Sequence, residues 1–390
     1  MFTSKKVTDR IRTSSQVEIV SYLSDRKKSG GPSLIDVSIG NPDLAPCEDA
    51  LVELEESLHV SGIHGYGSLG GVSEFKKSII DYYRAQYNVT LSTSEIAIVR
   101  GIRTVIFTIT SLFAGKDDIV LIPSIAYPSY FLATEFAGAT KYLVPTTEQT
   151  NFIPDLSIVP PEVLEKSKIL FLNYPNNPTG AVIPKESLLE IVEIARKYSI
   201  LIVYDNAYNE IVFDNEEPIS LMEIEGAKEV GIELFSLSKL TSLAGWRISF
   251  CTGGKEIIDI LYEYLSLTDT APFNGFQYAA AKALMANYRD KIGPKIARRY
   301  QERRDRLSHA LDVAALTYHQ SKGGFYIWVR APKGDGRTYA DFLVEHAGLL
   351  VTPGEYYGPG GKDYVRFSLT ATDEMFDEIV RRIESLPVDR

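Results

Sequence analysis

Between residues 96 and 253 the chain alternates short apolar runs with longer amphipathic stretches. Strands are predicted at 96–99 (IAIV), 119–122 (IVLI), 141–144 (KYLV), 168–173 (KILFLN), 200–205 (ILIVYD), 232–237 (IELFSL) and 247–253 (RISFCTG). Helices are predicted at 102–113, around 128–137 and at 185–198, where Leu188, Leu189, Ile191, Val192 and Ala195 share one face. Runs this rich in Ile, Leu and Val suit strands covered by helices on both faces. Their alternation with helices predicts an α/β domain around a mostly parallel sheet.

From about Gly293 the pattern changes. A charged helix is expected at 295–311, then a strand at 323–330, a helix at 338–346, a strand at 364–369 and a helix at 373–385. The Gly-rich stretch GEYYGPGGKDY at 354–364 reads as a loop. This second part is α+β in style. The expected organisation is a large domain over 51–290 and a smaller one over 291–390, the smaller joined by the N-terminal segment 1–50. A length of 390 residues suits two cores better than one.

Composition narrows the function. Apolar residues make up 45% and charged residues 24%, which excludes a disordered, collagen-like or coiled-coil chain. Lys and Arg number 41 against 51 Asp and Glu, a net charge of −10. No nucleic-acid or anionic-membrane partner is expected of so acidic a chain. Two cysteines, Cys47 and Cys251, make no disulfide framework. His59, His64, His309, His319 and His346 are scattered without metal-ligand spacing, so no metal site is expected. The first residues have no apolar leader segment, and no apolar run reaches the length of a membrane span. A cytoplasmic protein is expected.

Ligands of open α/β sheets sit beyond the carboxyl ends of the strands. At those ends stand Asn173, followed by Tyr174-Pro175-Asn176-Asn177-Pro178-Thr179-Gly180, then Asp205 with Tyr208, then Ser236 and Lys239, with Arg247 eight residues on. Singly, each has a plain structural reading: Asp205 as a helix cap, the Asn-Pro loop as a turn, Lys239 and Arg247 as solvated charges. In this order, each just after an apolar strand, they match the functional groups of pyridoxal phosphate. Lys239 suits the aldehyde, Asp205 the pyridine nitrogen, Asn177 and Tyr208 the phenolic oxygen, and Ser236 and Arg247 the phosphate. Gly101 and Ile102 open a helix whose N-terminus favours an anion.

The motifs NYPNNPTGAV, YDNAYNEIVFD, SLSK and AGWRISF, with DVSIGNPDL near the start and YVRFSLTA near the end, resemble the class I/II pyridoxal-phosphate aminotransferases of fold type I. Within them the chain is most similar to the LL-diaminopimelate aminotransferase-like branch. The resemblance implies a seven-stranded-type sheet and a smaller α+β domain. It implies catalytic roles for Lys239, Asp205 and Tyr208. It also implies that Tyr127 stacks on the cofactor ring, that Gly40 lies under the substrate carboxylate together with Asn177, and that Arg366 clamps it. Tyr66 resembles the tyrosine that reaches the phosphate of a neighbouring subunit, which implies a homodimer with shared active sites. The implied reaction moves an amino group from an amino acid to a 2-oxo acid by a ping-pong route.

Three departures stand out. Arg100 and Arg103 flank the phosphate-loop position, where the family carries small or hydroxyl residues; one of them is expected on the phosphate or at the substrate mouth, or else both face solvent. Lys239 is followed by Leu-Thr-Ser-Leu-Ala rather than an aromatic-containing stretch. The segment 266–277 has no Arg, so a small dicarboxylic substrate is not expected to be held from there. A second reading keeps the cofactor but changes the reaction to that of a lyase, cyclase or oxidase. A third, an amino-acid-sensing regulator, conflicts with the presence of both Lys239 and Asp205.

Overall fold

The computed structural model describes residues 15–29, 31, 33–67 and 70–387. Residues 1–14, and Ser68 and Leu69 of the YGSLGG motif, lie outside these. Helix α1 (Ser15–Ser29) leads to strand β1 (Ile35–Asp36), then to α2 (Glu48–Ser57) and α3 (Ser73–Tyr87). The central sheet follows: β2 (Ile96–Val99), β3 (Ile119–Pro123), β4 (Thr140–Val144), β5 (Ser167–Asn173), β6 (Leu201–Asp205), β7 (Gly231–Ser236) and β8 (Ser249–Gly253). Their spatial order is β2-β8-β7-β6-β5-β3-β4. Strands β3 to β7 pair in parallel, and β8 alone runs antiparallel to its neighbours β7 and β2. The mostly parallel, seven-stranded sheet expected from the sequence is therefore present.

Helices α4 (Ile102–Phe113), α5 (Pro128–Ala137) and α6 (Lys185–Tyr198) connect the parallel strands. Side chains alternate across the sheet. Ile169, Phe171, Leu201 and Val203 enter one core with Ile106 and Ile109 of α4. Leu170, Leu172, Ile202 and Tyr204 enter the other with Leu188, Ile191 and Val192 of α6. Both cores exclude water, which explains why the strands read as unbroken apolar runs.

After α7 (Lys255–Thr268) and α8 (Asn274–Asp290), the long helix α9 (Ile292–Val313) opens the second part. It carries β9 (Tyr318–His319), β10 (Tyr326–Arg330), α10 (Gly336–Ala347), β11 (Leu349–Leu350), β12 (Thr352–Pro353), β13 (Tyr364–Ser368) and α11 (Asp373–Glu384). Strands β12, β13, β10 and β9 form an antiparallel sheet in that order. β1 joins β11 in parallel, and Ile35 and Val37 enter this part's core beside Leu307, Val365 and Phe376. Two boundaries depart from the sequence expectation. The run 323–330 is strand only from Tyr326, because Gly324 takes a positive φ of 77°. The strand expected at 247–253 begins at Ser249, because Arg247 adopts a left-handed φ of 55°.

The loop after β6 is tied to this second core. Ile211 and Phe213 enter it, and Asp214 accepts from Arg304 of α9 at 2.6 and 2.9 Å. The Arg304 side chain is only 2% exposed, and Ser321 O takes a further bond from it. A guanidinium this deep is tolerated because it is paired and hydrogen-bonded. Arg303 does the same with Asp43 at 2.7 Å. Arg304 holds the Asp214 carboxyl down at about 2. The resulting stability is present above the ordinary Asp range and is lost as pH falls toward 2. Asp214→Ala is expected to lower unfolding free energy at neutral pH by about 3 kcal/mol, read from urea melts. An unchanged midpoint would show that the pair holds nothing.

Candidate active site

A cavity of about 770 Å³ opens beyond the carboxyl ends of β5, β6 and β7, closed from the other side by β10, β12 and β13. Ten of the twelve residues given a catalytic, cofactor or substrate role from the sequence line it: Gly40, Ile102, Tyr127, Asn177, Asp205, Tyr208, Ser236, Lys239, Arg247 and Arg366. Gly101 lies directly behind. It caps α4 at a φ of 103°, which favours glycine, and a Cβ there would stand 2.3 Å from Arg247 Nη2 and push that guanidinium aside. Tyr66 is not brought in. It is 95% exposed.

Asp205 ends β6 at the floor. Oδ2 accepts from the Tyr130 hydroxyl at 2.8 Å, while the buried Oδ1 has no partner. Burial pushes its carboxyl up to about 6 against the pull of Tyr130 and the Ala207 N–H. Tyr130 is itself fixed by stacking on Phe171 at 4.5 Å. Asn173 ends the neighbouring strand and donates to Asp205 O at 2.7 Å, while its Oδ1 accepts from the Asn177 N–H at 2.8 Å. One side chain thus sets the spacing between the aspartate and the Asn-Pro loop.

Lys239 sits in a four-residue helix, Leu237–Leu240, that turns directly off β7. The turn is held by Ser236, whose Oγ accepts from the Ser238 N–H at 3.1 Å. The lysine Nζ donates to Gly40 O at 2.8 Å and lies 5.6 Å over the Phe325 ring. Burial lowers its pKa, and the Arg366, Arg247 and Arg103 cations lower it further against the opposing effect of Tyr326. A lysine so placed gives up its proton more readily than a solvated one.

Arg366 on β13 faces inward. It donates to Asn177 Oδ1 at 2.8 Å and to Ser38 O, and its Nε is buried without a partner. Its guanidinium lies 3.8 Å over the Tyr326 ring and 5.0 Å from that of Tyr357. Tyr208 donates to the Tyr326 hydroxyl at 3.2 Å. The two flanking arginines part company. Arg100 turns away to Thr270 O, Ala271 O and Asp269, whereas Arg103 lines the cavity and donates twice to the Tyr127 hydroxyl. Arg247 Nη1 is bonded to Ala244 O at 2.8 Å.

Sequence reasoning missed Tyr130 and Tyr326. Tyr130 follows Tyr127 by three residues, which is one helical turn, so the spacing carried a usable signal. Tyr326 had none, because its place depends on the pairing of β10 with β13.

This donor set fits pyridoxal phosphate. The orphaned Asp205 Oδ1 is an acceptor with no protein donor, as a protonated ring nitrogen requires. The glycine behind Arg247 leaves that guanidinium room to approach a helix N-terminus, where a phosphate is favoured.

Residues 32–383 match the protein family described as aminotransferase class I and II. The LL-diaminopimelate aminotransferase of Aquifex aeolicus is 36% identical over 370 residues, covering 93% of this chain and 95% of its own length. The transaminase BacF of Bacillus subtilis is 36% identical over 361 residues, covering 91% and 90%. The solved structure of substrate-bound BacF superimposes with a TM-score of 0.93 at 34% identity, over 99% of both chains. The chain therefore belongs to the class I and II aminotransferases, in the LL-diaminopimelate aminotransferase branch, and is an enzyme that transfers amino groups with pyridoxal phosphate.

Proposed function

We propose that this one cavity serves both halves of a ping-pong exchange between an amino acid and a 2-oxo acid, with Lys239 moving the proton. The observation that carries the reading is the pairing of an unpartnered carboxylate oxygen on Asp205 with a buried, depressed lysine across the same cavity. Pyridoxal phosphate supplies an aldehyde that links to an amine and a ring that draws electrons from the substrate carbon. Asp205 holds the proton on the ring nitrogen. Asn177 and Tyr208 bond the phenolic oxygen, and Tyr127 covers the ring face. Ser236, Arg247 and the N–H groups at Gly101 and Ile102 hold the phosphate. Arg366 takes the substrate carboxylate over Gly40 and Asn177, which fixes the Cα–H bond relative to Lys239 Nζ. Lys239 Nζ, its ammonium form weakened by burial, would take that proton and pass it to the cofactor carbon that had carried the aldehyde oxygen.

The exposure of Tyr66 supports a homodimer in which its hydroxyl reaches the neighbouring subunit's phosphate. The packing of Ile35 and Val37 on the second core supports an N-terminal segment, 1–50, that belongs with 291–390 around a large domain over 51–290. Cys47 and Cys251, both free, support a cytoplasmic location. The names of the relatives support a role in amino-acid biosynthesis. The aminotransferase relatives named above do not favour the lyase, cyclase or oxidase reading.

Lys239→Ala is expected to retain cofactor through the remaining contacts and to lose ~10²–10⁴-fold or more in turnover, followed by spectroscopy of the bound aldehyde on adding an amino donor; near-normal rates would remove Lys239 from the role. Asp205 provides a pH test. A carboxyl raised to about 6 by burial favours the fold below the ordinary Asp range, and that advantage is lost as pH rises through about 6. Cofactor-free Asp205→Asn should therefore gain stability on wild type between pH 4 and 7, by on the order of 3 kcal/mol. Parallel stability curves would refute the burial argument. Tyr326 supports Arg366 through its ring and Tyr208 through its hydroxyl. Tyr326→Leu should raise the amino-acid KM about tenfold, while Tyr326→Phe leaves KM near wild type. Equal KM effects would show that ring stacking is not what positions Arg366.

A further inference from the structure

Arg100 has no task in the function proposed above, on which this inference rests. It stands between β2 and the glycine that caps α4, immediately before the N–H groups assigned to the phosphate. Its guanidinium turns instead to the connection between α7 and α8. Nε donates to Thr270 O at 2.8 Å and lies 3.3 Å from Asp269 Oδ1, while Nη2 donates to the Thr270 hydroxyl and to Ala271 O at 3.1 Å. Four oxygens from three consecutive residues around one planar fork hold that connection in a single geometry. The same connection supports Tyr66. Gly67 lies so close to it that a Cβ there would stand 2.6 Å from Asn274 Oδ1 and 3.3 Å from the Ala271 Cβ. At the other end of the YGSLGGV stretch, the Val72 N–H donates to Gln277 Oε1 at 2.9 Å, and Gln277 Nε2 donates to Pro272 O at 2.8 Å. Both ends of the stretch therefore rest on residues 271–277. Leu267, two residues before the clamped segment, is 87% exposed, and with Tyr66 it leaves an apolar surface that a second copy would cover. Helix α8 is anchored separately, by Phe276 stacking on Trp246 at 5.2 Å and by the buried Gln277. Loss of Arg100 thus loosens the approach to α8 and the glycine resting on it while the helix stays in place.

We propose that Arg100 is a positioning residue for the neighbouring subunit's cofactor: by clamping residues 269–271 from the edge of its own phosphate cradle, it holds Gly67, and so the Tyr66 hydroxyl, where the other subunit's phosphate needs it. One guanidinium then ties the phosphate cradle of one site to the hydroxyl donor of the other. The chain of contacts is short, running from Gly101 through Arg100 and Ala271 to Gly67. It also gives the arginine before the cradle a reason to face away from the phosphate beside it.

The test measures the dissociation constant of pyridoxal phosphate from the full-length enzyme. Tyr66→Phe should weaken binding about 10- to 100-fold. Arg100→Met should weaken it about three- to tenfold in the wild-type background and less than about twofold in Tyr66→Phe, since the two substitutions remove one contact. Arg100→Lys, which keeps a cation beside Asp269 without the fork, should fall between wild type and Arg100→Met. Hybrids of two differently tagged chains assign the effect to a site, because Lys239→Ala in one chain confines the borohydride-trapped cofactor adduct to the other. With Arg100→Met in the chain that lacks Lys239, the adduct on its partner should need about three- to tenfold more cofactor; with Arg100→Met in the chain that keeps Lys239, the requirement should stay at the wild-type level. The reverse result, or additive losses in the double variant, overturns the proposal and places Arg100 on its own phosphate. An Arg100→Met variant that sediments as a monomer also overturns it, making Arg100 an interface residue only. A loss in Tyr66→Phe with none in Arg100→Met overturns it and leaves the shared site standing, whereas no loss in Tyr66→Phe sinks the shared-site reading itself.

Discussion

Asp205 ends the central strand β6 where two apolar cores and the cavity floor meet, and there its charge is costly. Burial lifts its carboxyl to about 6, and only Tyr130 and one backbone N–H work against that. One oxygen is left without a protein partner. A buried acceptor in that condition is stabilised by a donor from outside the chain. The strand that carries it, the Phe171–Tyr130 stack beside it and the Asn173 bond to its carbonyl all serve to keep that oxygen aimed at the cavity.

The opposite wall is governed by arginines. Arg303 and Arg304 are buried on α9, each neutralised by an aspartate from another part of the chain, Asp43 and Asp214. These pairs tie the N-terminal segment and the loop after β6 to the second core, so Tyr208 on that loop and Gly40 near that segment are held to the same frame. Arg366 is different. It is buried with neutral partners only, Asn177 Oδ1, Ser38 O and two tyrosine rings, and its Nε has none. A guanidinium that is desolvated but not neutralised is a strong site for an anion. The same fold uses arginine as a staple where a carboxylate is supplied and as a receptor where it is not.

Lys239 sits at the meeting point of these two walls. Burial and three nearby cations weaken its ammonium form, and its bond to Gly40 O ties its head to the segment whose strand β1 pairs with β11. Proton transfer, anion binding and ring electronics therefore share one small volume. Each group reaches it from a different element, so the arrangement depends on the relative placement of the two sheets more than on any local motif.

Much of this was legible in the sequence for a simple reason. Unbroken Ile, Leu and Val runs at 119–122, 168–173 and 200–205 report burial on both faces, and strand ends in a parallel sheet share one rim, so Asn173, Asp205, Ser236 and Lys239 declared their neighbourhood without coordinates. Arg366 was legible only by resemblance, since alternation in YVRFSL leaves its facing open; pairing with Trp328 and Thr352 decided it. Tyr326 and the separate fates of Arg100 and Arg103 were not legible at all. Adjacent charges three residues apart look alike in a sequence, and which one turns into a cavity depends on what packs opposite: Asp269 and Thr270 for Arg100, Tyr127 for Arg103. Periodicity fixes which side of its own element a residue occupies. What it meets there is set by long-range packing, and only the tertiary structure supplied that.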